Sequence, residues 1–327
     1  MKQKIINYLS TIPFINRYFT GIATIFMLHR VDHLEKGKLK PNENMKVSPE
    51  FLESFIVELL DKGYDFISLD ELYDILKSKK STKKKIVFTL DDGYKDNYEL
   101  AYPIFKKYDV PFTIYVTTSF PNKSVILWWY ILEDLILEND FLIVDEKKYI
   151  CRTMEEKNRV FLEVRRVILA LEQRDLLNQL NKIFVNYDID WFSRNNELCM
   201  SWDEIKILSK DSLCTIAGHT VNHYVFHKLN DKEIITEIVD ANKEIEKEIE
   251  KKVEHFAYPF GSINEVKIRE LKIVEKLQFK TVTTTRKGTI YFKHENYTNC
   301  CLPRLMLKEN FKIKDIGKFR RKKVVSI

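Results

Sequence analysis

Apolar positions along the chain switch between two periods, and the switching predicts a fold. Thr24-Ile25-Phe26-Met27-Leu28 reads as a first strand ending at His29-Arg30. After a connector, Ser48-Pro49-Glu50 reads as a helix start, with Ser as N-cap and Pro at the first helical position. Phe51, Leu52, Phe55, Ile56, Leu59 and Leu60 recur at helical spacing, and Gly63 stops the helix. Phe66-Ile67 predicts a short strand, Ser68 the cap of a helix near Leu69–Leu76, and the basic run from Lys79 to Lys85 an exposed loop. Ile86-Val87-Phe88 predicts a buried strand, followed by a helix near Asn97–Tyr108 and a strand at Phe112–Val116. This β-α-β alternation implies parallel strands in a sheet or barrel.

The rhythm breaks near Ser119. Residues 121–199 carry Trp128-Trp129, a hairpin pattern around Phe141–Ile150 and a helical pair from Thr153 to Phe184. They read as an insertion on the loops of one barrel face, where it would shape a substrate groove. The alternation resumes at Ser201-Trp202-Asp203-Glu204, a capping-box pattern. Leu213–Ala217 predicts a strand that delivers Gly218-His219, and Asp231–Lys252 a long helix with Ile234, Ile238, Ala241, Ile245 and Ile249 on one side. A strand at His255–Tyr258 ends at Pro259-Phe260-Gly261. Asn264 is expected to cap a helix, Phe279–Thr283 to form a strand, and Cys300–Leu305 to end the last one. The expected organisation is an amphipathic segment at 1–20, one α/β unit from 21–120 and 200–310, the insertion at 121–199 and a basic tail at 311–327.

Composition narrows the class. A chain of 327 residues, 45% hydrophobic, can bury a sizeable core and excludes long disorder. The net charge of +6 mildly favours anionic partners without calling for nucleic acid. Five cysteines, an odd number with no CxxC, speak against a disulfide framework or a Cys-rich zinc site. No apolar run is long enough to cross a membrane, and no leader pattern precedes residue 20. The expectation is a cytoplasmic protein. Residues 1–20 and the basic tail are its candidates for peripheral contact with the inner membrane.

Chemistry concentrates in two stretches. Thr89-Leu90-Asp91-Asp92-Gly93 closes a buried strand with adjacent carboxylates, which are costly to bury uncompensated; a bound cation is one compensation. His219-Thr220-Val221-Asn222-His223 follows another strand. On a helical turn its two imidazoles, four residues apart, would share a face and reach one ion. Two histidines and one carboxylate suit zinc, with cobalt, nickel or iron as open alternatives. The second carboxylate could then take a proton from a water that the ion acidifies. A helix-capping turn is the plain alternative for Asp91-Asp92. Trp128, Trp129 and Trp202 could stack on sugar rings or serve core packing.

Taken together, Thr89–Gly93, His219–His223 and Phe256-Ala257-Tyr258-Pro259-Phe260-Gly261 resemble the three leading motifs of the NodB-type polysaccharide deacetylases. The resemblance covers most of 24–120 and 200–307 but not the insertion. It implies a distorted (β/α) barrel of parallel strands and hydrolysis of an N-acetyl group from an amino sugar. Bacterial cell-surface glycan synthesis is the expected setting, and the lack of an export signal points to a lipid- or nucleotide-linked precursor. By motif match Asp91 would be the general base. Asp92, His219 and His223 would hold the metal, and the Phe260 N–H would face the oxyanion, with Tyr258 and Pro259 around the substrate; Trp128, in the insertion outside the resemblance, is a further candidate for substrate contact. Two positions depart from the family. Ala257 stands where many members have an Arg that pairs with the base, and Leu305-Met306-Leu307 lacks the His that serves as acid. His29 is the candidate for the acid and Arg304 for the partner of Asp91. A degenerate sugar-binding domain and a hydrolase of non-sugar C–N bonds stay open as alternatives.

Overall fold

Strands buried on both faces cannot leave an edge in water, and here they close on themselves. The computed structural model describes residues 21–80 and 84–319; the expected segment 1–20, positions 81–83 of the basic run and the end of the tail, 320–327, lie outside the described residues. The strands in chain order are β1 (Ala23–Leu28), β2 (Arg30–Val31), β3 (Lys46–Val47), β4 (Asp65–Phe66), β5 (Lys85–Asp92), β6 (Phe112–Val116), β7 (Phe141–Val144), β8 (Lys147–Ile150), β9 (Cys214–Gly218), β10 (His255–Ala257), β11 (Thr281–Lys287) and β12 (Leu302–Met306). Every residue of β1 and β6 is buried. Seven strands form a closed parallel ring in the order β1-β12-β11-β10-β9-β6-β5. Pairing of β1 with β5, from Ala23 opposite Lys85 to Leu28 opposite Leu90, shuts it. Short β4 lies outside the ring against the start of β5.

Two layers of core hold the ring. Phe26, Phe55, Phe88, Phe105 and Phe112 pack between strands and surrounding helices, while Ile25, Val87, Tyr115, Ala217, Ala257 and Leu302 fill the interior. Leu69, Leu72 and Leu76, from the helix after β4, close the base of that interior. The helix starts are capped much as the sequence predicts: the Ser48 hydroxyl accepts from the Phe51 N–H, and capping boxes begin at Ser68, Thr153 and Ser201. Because every ring strand is parallel, all C-terminal ends open on one face, and loop-borne chemistry gathers there.

The insertion carries its own core. Leu132, Ile136, Leu142, Val144, Phe161, Val164, Leu180 and Trp191 bury one another between helices Trp128–Glu138, Met154–Ala170, Leu176–Ile183 and the β7–β8 hairpin. Leu39, in the connector after β1, joins that core. A second small cluster, including Tyr94, Phe120, Leu127 and Tyr130, welds insertion to barrel.

Four expectations shift. Lys85 opens β5 rather than ending the basic loop, since its backbone pairs with Ala23 and Asp65. Asn264 caps no helix: the Ser262 hydroxyl holds its N–H in a turn, and the helix is Ile268–Glu275. The strand expected at Phe279–Thr283 is β11, displaced to Thr281–Lys287, because Phe279 instead packs its ring 5.4 Å from that of Phe256. The tail does not begin at 311: Phe311 packs 5.4 Å from Phe26, and Ile313 and Ile316 are buried in a 3-10 helix, Ile313–Phe319. No helix among the described residues is long and apolar enough to cross a membrane.

Candidate active site

Successive strand residues point to opposite sides, yet Asp91 and Asp92 both line one cavity at the barrel mouth. The backbone accounts for it. Asp92 has φ +80° and Gly93 φ +104°, so the chain turns sharply at the end of β5. The histidine loop is equally unusual. Gly218 leaves no room for a Cβ against the Asn242 side chain, and Thr220 and His223 adopt φ +71° and +57°. The expected helical turn is therefore absent, and i,i+4 geometry does not bring the imidazoles together. The buried Glu237 does so instead. Its carboxylate accepts from the Val221 N–H (3.1 Å), the Asn222 N–H (2.9 Å) and the Asn222 side-chain amide (2.7 Å), replacing the backbone bonds that a helix would provide. Burial pushes the Glu237 carboxyl up, against these donors. Left-handed backbone in a β-branched residue such as Thr220 is rare and concentrates at functional sites.

One Asp92 oxygen lies 3.4 Å from His219 Nε2 and 3.3 Å from His223 Nε2, and it forms no hydrogen bond. Ligand atoms of the three residues all fall within 4.8 Å of one another. The ring Nδ1–H of His219 donates to the Ala257 carbonyl at 2.7 Å, the tautomer that a carbonyl acceptor requires, so its Nε2 lone pair faces Asp92. With the His223 Nδ1 unpartnered, its Nε2 is free to present a lone pair beside those of Asp92 and His219, a convergence that fits a divalent cation. Burial favours protonated Asp92, but the His223 and His219 imidazoles outweigh it and hold the carboxyl well below its usual range.

Asp91 is held differently. Arg304, fully buried in the middle of β12, grips it with two prongs: Nη1 at 2.6 Å and Nη2 at 2.7 Å from its two oxygens. Arg304 also donates to the Thr89 hydroxyl and the Thr284 carbonyl, so its own position is over-determined. Burial acts to raise the Asp91 carboxyl, and Arg304 overcomes it, leaving Asp91 ionised. The guanidinium that the third motif lacks at Ala257 is thus supplied from the last strand. His29 lines the same cavity, its ring Nδ1 without a partner. Burial lowers its pKa despite the nearby Asp92 and Asp91 carboxylates, so it rests neutral.

Of the other expected site residues, Trp128 and Phe260 line the cavity of about 300 Å³. Phe260 has φ +58°, its ring lies 4.8 Å from that of His223, and the Thr285 hydroxyl holds its carbonyl at 2.7 Å. Tyr258 does not belong there: it is fully buried, with its hydroxyl on the Cys300 carbonyl at 3.0 Å, because strand alternation turns it into the outer core. Pro259 is buried and forms no part of the cavity wall. Trp202 donates to Asn122 outside the cavity.

Sequence reasoning missed Glu237, Arg30, Tyr94 and Arg165. Arg30 pairs with the buried Asp96 at 2.5 Å and donates to the Tyr130 hydroxyl at 3.2 Å, tying β2 to the turn after β5 and to the insertion. Only the position of Arg30, directly after His29 at a strand end, hinted at it.

Residues 78–282, more than half of the chain, match the family profile described as polysaccharide deacetylase. Poly-β-1,6-N-acetyl-D-glucosamine N-deacetylase of Staphylococcus aureus (strain MSSA476) is 35% identical over 80 residues, 24% of this chain and 28% of that protein. YxkH of Bacillus subtilis (strain 168) is 34% identical over 79 residues, again 24% and 28%. The chain therefore spans little more than a quarter of the length of the curated relatives it matches. Among solved structures, Streptococcus pyogenes deacetylase PplD in complex with acetate superposes with TM-score 0.61 at 18% identity, covering 91% of this chain and 98% of that one. IcaB from Ammonifex degensii gives 0.55 at 16%, covering 91% and 95%. At these identities the structures establish the barrel fold. The profile match establishes more: this chain belongs to the polysaccharide deacetylase family, carbohydrate N-deacetylases that are generally dependent on a divalent metal.

Proposed function

We propose that this protein is a metal-dependent hydrolase that removes an N-acetyl or other N-acyl group from an amino sugar of a bacterial surface glycan or its precursor. One observation carries the proposal: Asp92, His219 and His223 converge within 4.8 Å beside an Asp91 carboxylate locked by Arg304. The donor set would hold zinc, with cobalt, nickel or iron as alternatives. When bound, such an ion supplies Lewis acidity toward water and the amide carbonyl.

The chain's own groups do the rest. Asp91, ionised and oriented, keeps free lone pairs beyond the two that Arg304 occupies, and accepts the proton of the attacking water. The Phe260 N–H, which makes no hydrogen bond among the described residues, donates to the oxyanion that develops on the carbonyl. Neutral His29 receives the proton and passes it to the leaving nitrogen. Trp128 and Trp129 wall the cavity with rings that fit the apolar face of a sugar. The amide bond breaks, acetate departs, and a free amine remains on the sugar. The intact triad speaks against a degenerate binding domain.

Acetate release from an N-acetylglucosamine oligomer, with metal-stripped and zinc-loaded protein, tests this. The expectation is release only from the loaded protein, falling by about 10²–10⁴-fold in Asp91→Asn. Release of ammonia rather than acetate from amide probes, or undiminished turnover in Asp91→Asn, overturns the proposal. A wild-type rate in His29→Gln removes the relay and leaves Asp91 to carry the proton both ways.

A further inference from the structure

The cavity contains a charge that the hydrolysis just described does not use. Arg165 projects from the inserted helix Met154–Ala170, one turn after Phe161, and both residues line the same cavity as the triad. Every other arginine at this mouth is satisfied: Arg304 by Asp91, Arg30 by Asp96 and Asp32. Arg165 is half-buried, yet among the described residues it has neither a hydrogen bond nor an ion pair. Glu265 is the one acid whose charge reaches it, from beyond ion-pair distance, and that carboxylate is engaged by the Ser262 hydroxyl. Burial accordingly makes its charged form less favourable than in water. A guanidinium without an acceptor, on an aromatic wall, presents a planar fork that matches a phosphate or carboxylate.

We propose that Arg165 is the anion-recognising residue of the substrate cavity, and that the N-acyl glycan or precursor cleaved here carries a phosphate or carboxylate near the reacting sugar. This rests on the N-deacylation reading above and gives it a substrate class. The barrel places the amide at the triad; the insertion reads the neighbouring negative charge. A neutral N-acetylglucosamine polymer would leave the fork empty.

The test compares three probes with zinc-loaded protein: a neutral N-acetylglucosamine oligomer, the same oligomer bearing a terminal phosphate, and one bearing a terminal glucuronate. Wild-type kcat/KM should favour one charged probe over the neutral one by about 10- to 100-fold, the range of a charge-assisted hydrogen-bonded pair. In Arg165→Gln that ratio should fall to about 1. Arg165→Lys, which keeps the charge but loses the fork, should fall between and carries the test if the Gln variant does not fold. The preferred arm identifies phosphate or carboxylate. Equal use of all probes, or a preference that survives in both variants, overturns the inference while N-deacylation stands. If no probe is hydrolysed, calorimetric binding decides: saturable binding of a charged probe that Arg165→Gln abolishes upholds the anion site and discards N-deacylation. Equal binding by wild type and variant discards the site.

Discussion

The barrel mouth and the insertion that overhangs it solve different problems with different materials. At the mouth, polar groups fix one another's positions: Asp91 is held by both prongs of Arg304, His219 by the Ala257 carbonyl, and the histidine loop by Glu237. The insertion faces the same cavity with Trp128, Trp129, Phe161 and Arg165. It is stabilised by its own apolar core and tied on through Trp129 Nε1 to the Tyr94 hydroxyl (3.1 Å) and through Glu133 to Asn42 (2.9 Å). The contrast teaches a division of labour. Chemistry needs side chains whose positions are over-determined, which a closed barrel provides. A separately packed wall can differ without disturbing that geometry, which under the proposed function would suit it to substrate choice.

The strongest way to break this comparison is to loosen the mouth. Arg304→Met leaves Asp91 buried and unpaired, and should destabilise the protein by about 3–5 kcal/mol in urea unfolding while abolishing acetate release. A variant as stable as wild type would show that the pair is not what holds the mouth.

Acid sensitivity should also belong to the barrel, because residues 121–199 contain no histidine. His294 is buried, and burial lowers its pKa to about 4, against an unfolded value near 6.5. Below about pH 6.5 the unfolded chain gains a proton that the folded form refuses until about pH 4. Stability present at neutral pH is thus lost on acidification, by up to ~3 kcal/mol. Urea midpoints at pH 7 and pH 4.5 should diverge less in His294→Asn than in wild type; an identical divergence discards this assignment.

A subtler cut sharpens the contrast within the mouth. Glu237→Gln puts an amide N–H₂ among the backbone donors of the histidine loop. Zinc affinity, read by chelator competition, should weaken by about 10- to 100-fold; an unchanged Kd would mean that the loop holds its shape without Glu237. Smallest of all, Trp129→Ala on the insertion should raise KM by about tenfold with kcat nearly constant, the signature of lost substrate binding. A fall in kcat instead would place the insertion within the chemistry.

Much of the barrel was legible because its signals are local. Period-2 and period-3.6 runs, capping boxes and strand-length apolar stretches depend on neighbours a few residues apart, and they located nearly every element. Asp91, Asp92, His219 and His223 were legible because such residues rarely end buried strands by accident. The position of Tyr258 was misread because its motif neighbour Phe260 does line the cavity, whereas the pleat alone decides which way Tyr258 points. Arg165 and Glu237 sit in ordinary amphipathic helices, where a charged residue looks solvated until a partner surface covers it.

The sequence by itself determined the order of elements and which residue types could do chemistry, since these follow from propensity, periodicity and side-chain identity. Only the tertiary structure decided which of them meet. Arg304 reaches Asp91 across 213 positions, and β1 closes on β5 far along the chain. The left-handed bends at Asp92, Thr220 and His223 are imposed by surrounding contacts rather than by local preference. Pairings of that range leave no mark on nearby residues; they exist only once the barrel has closed.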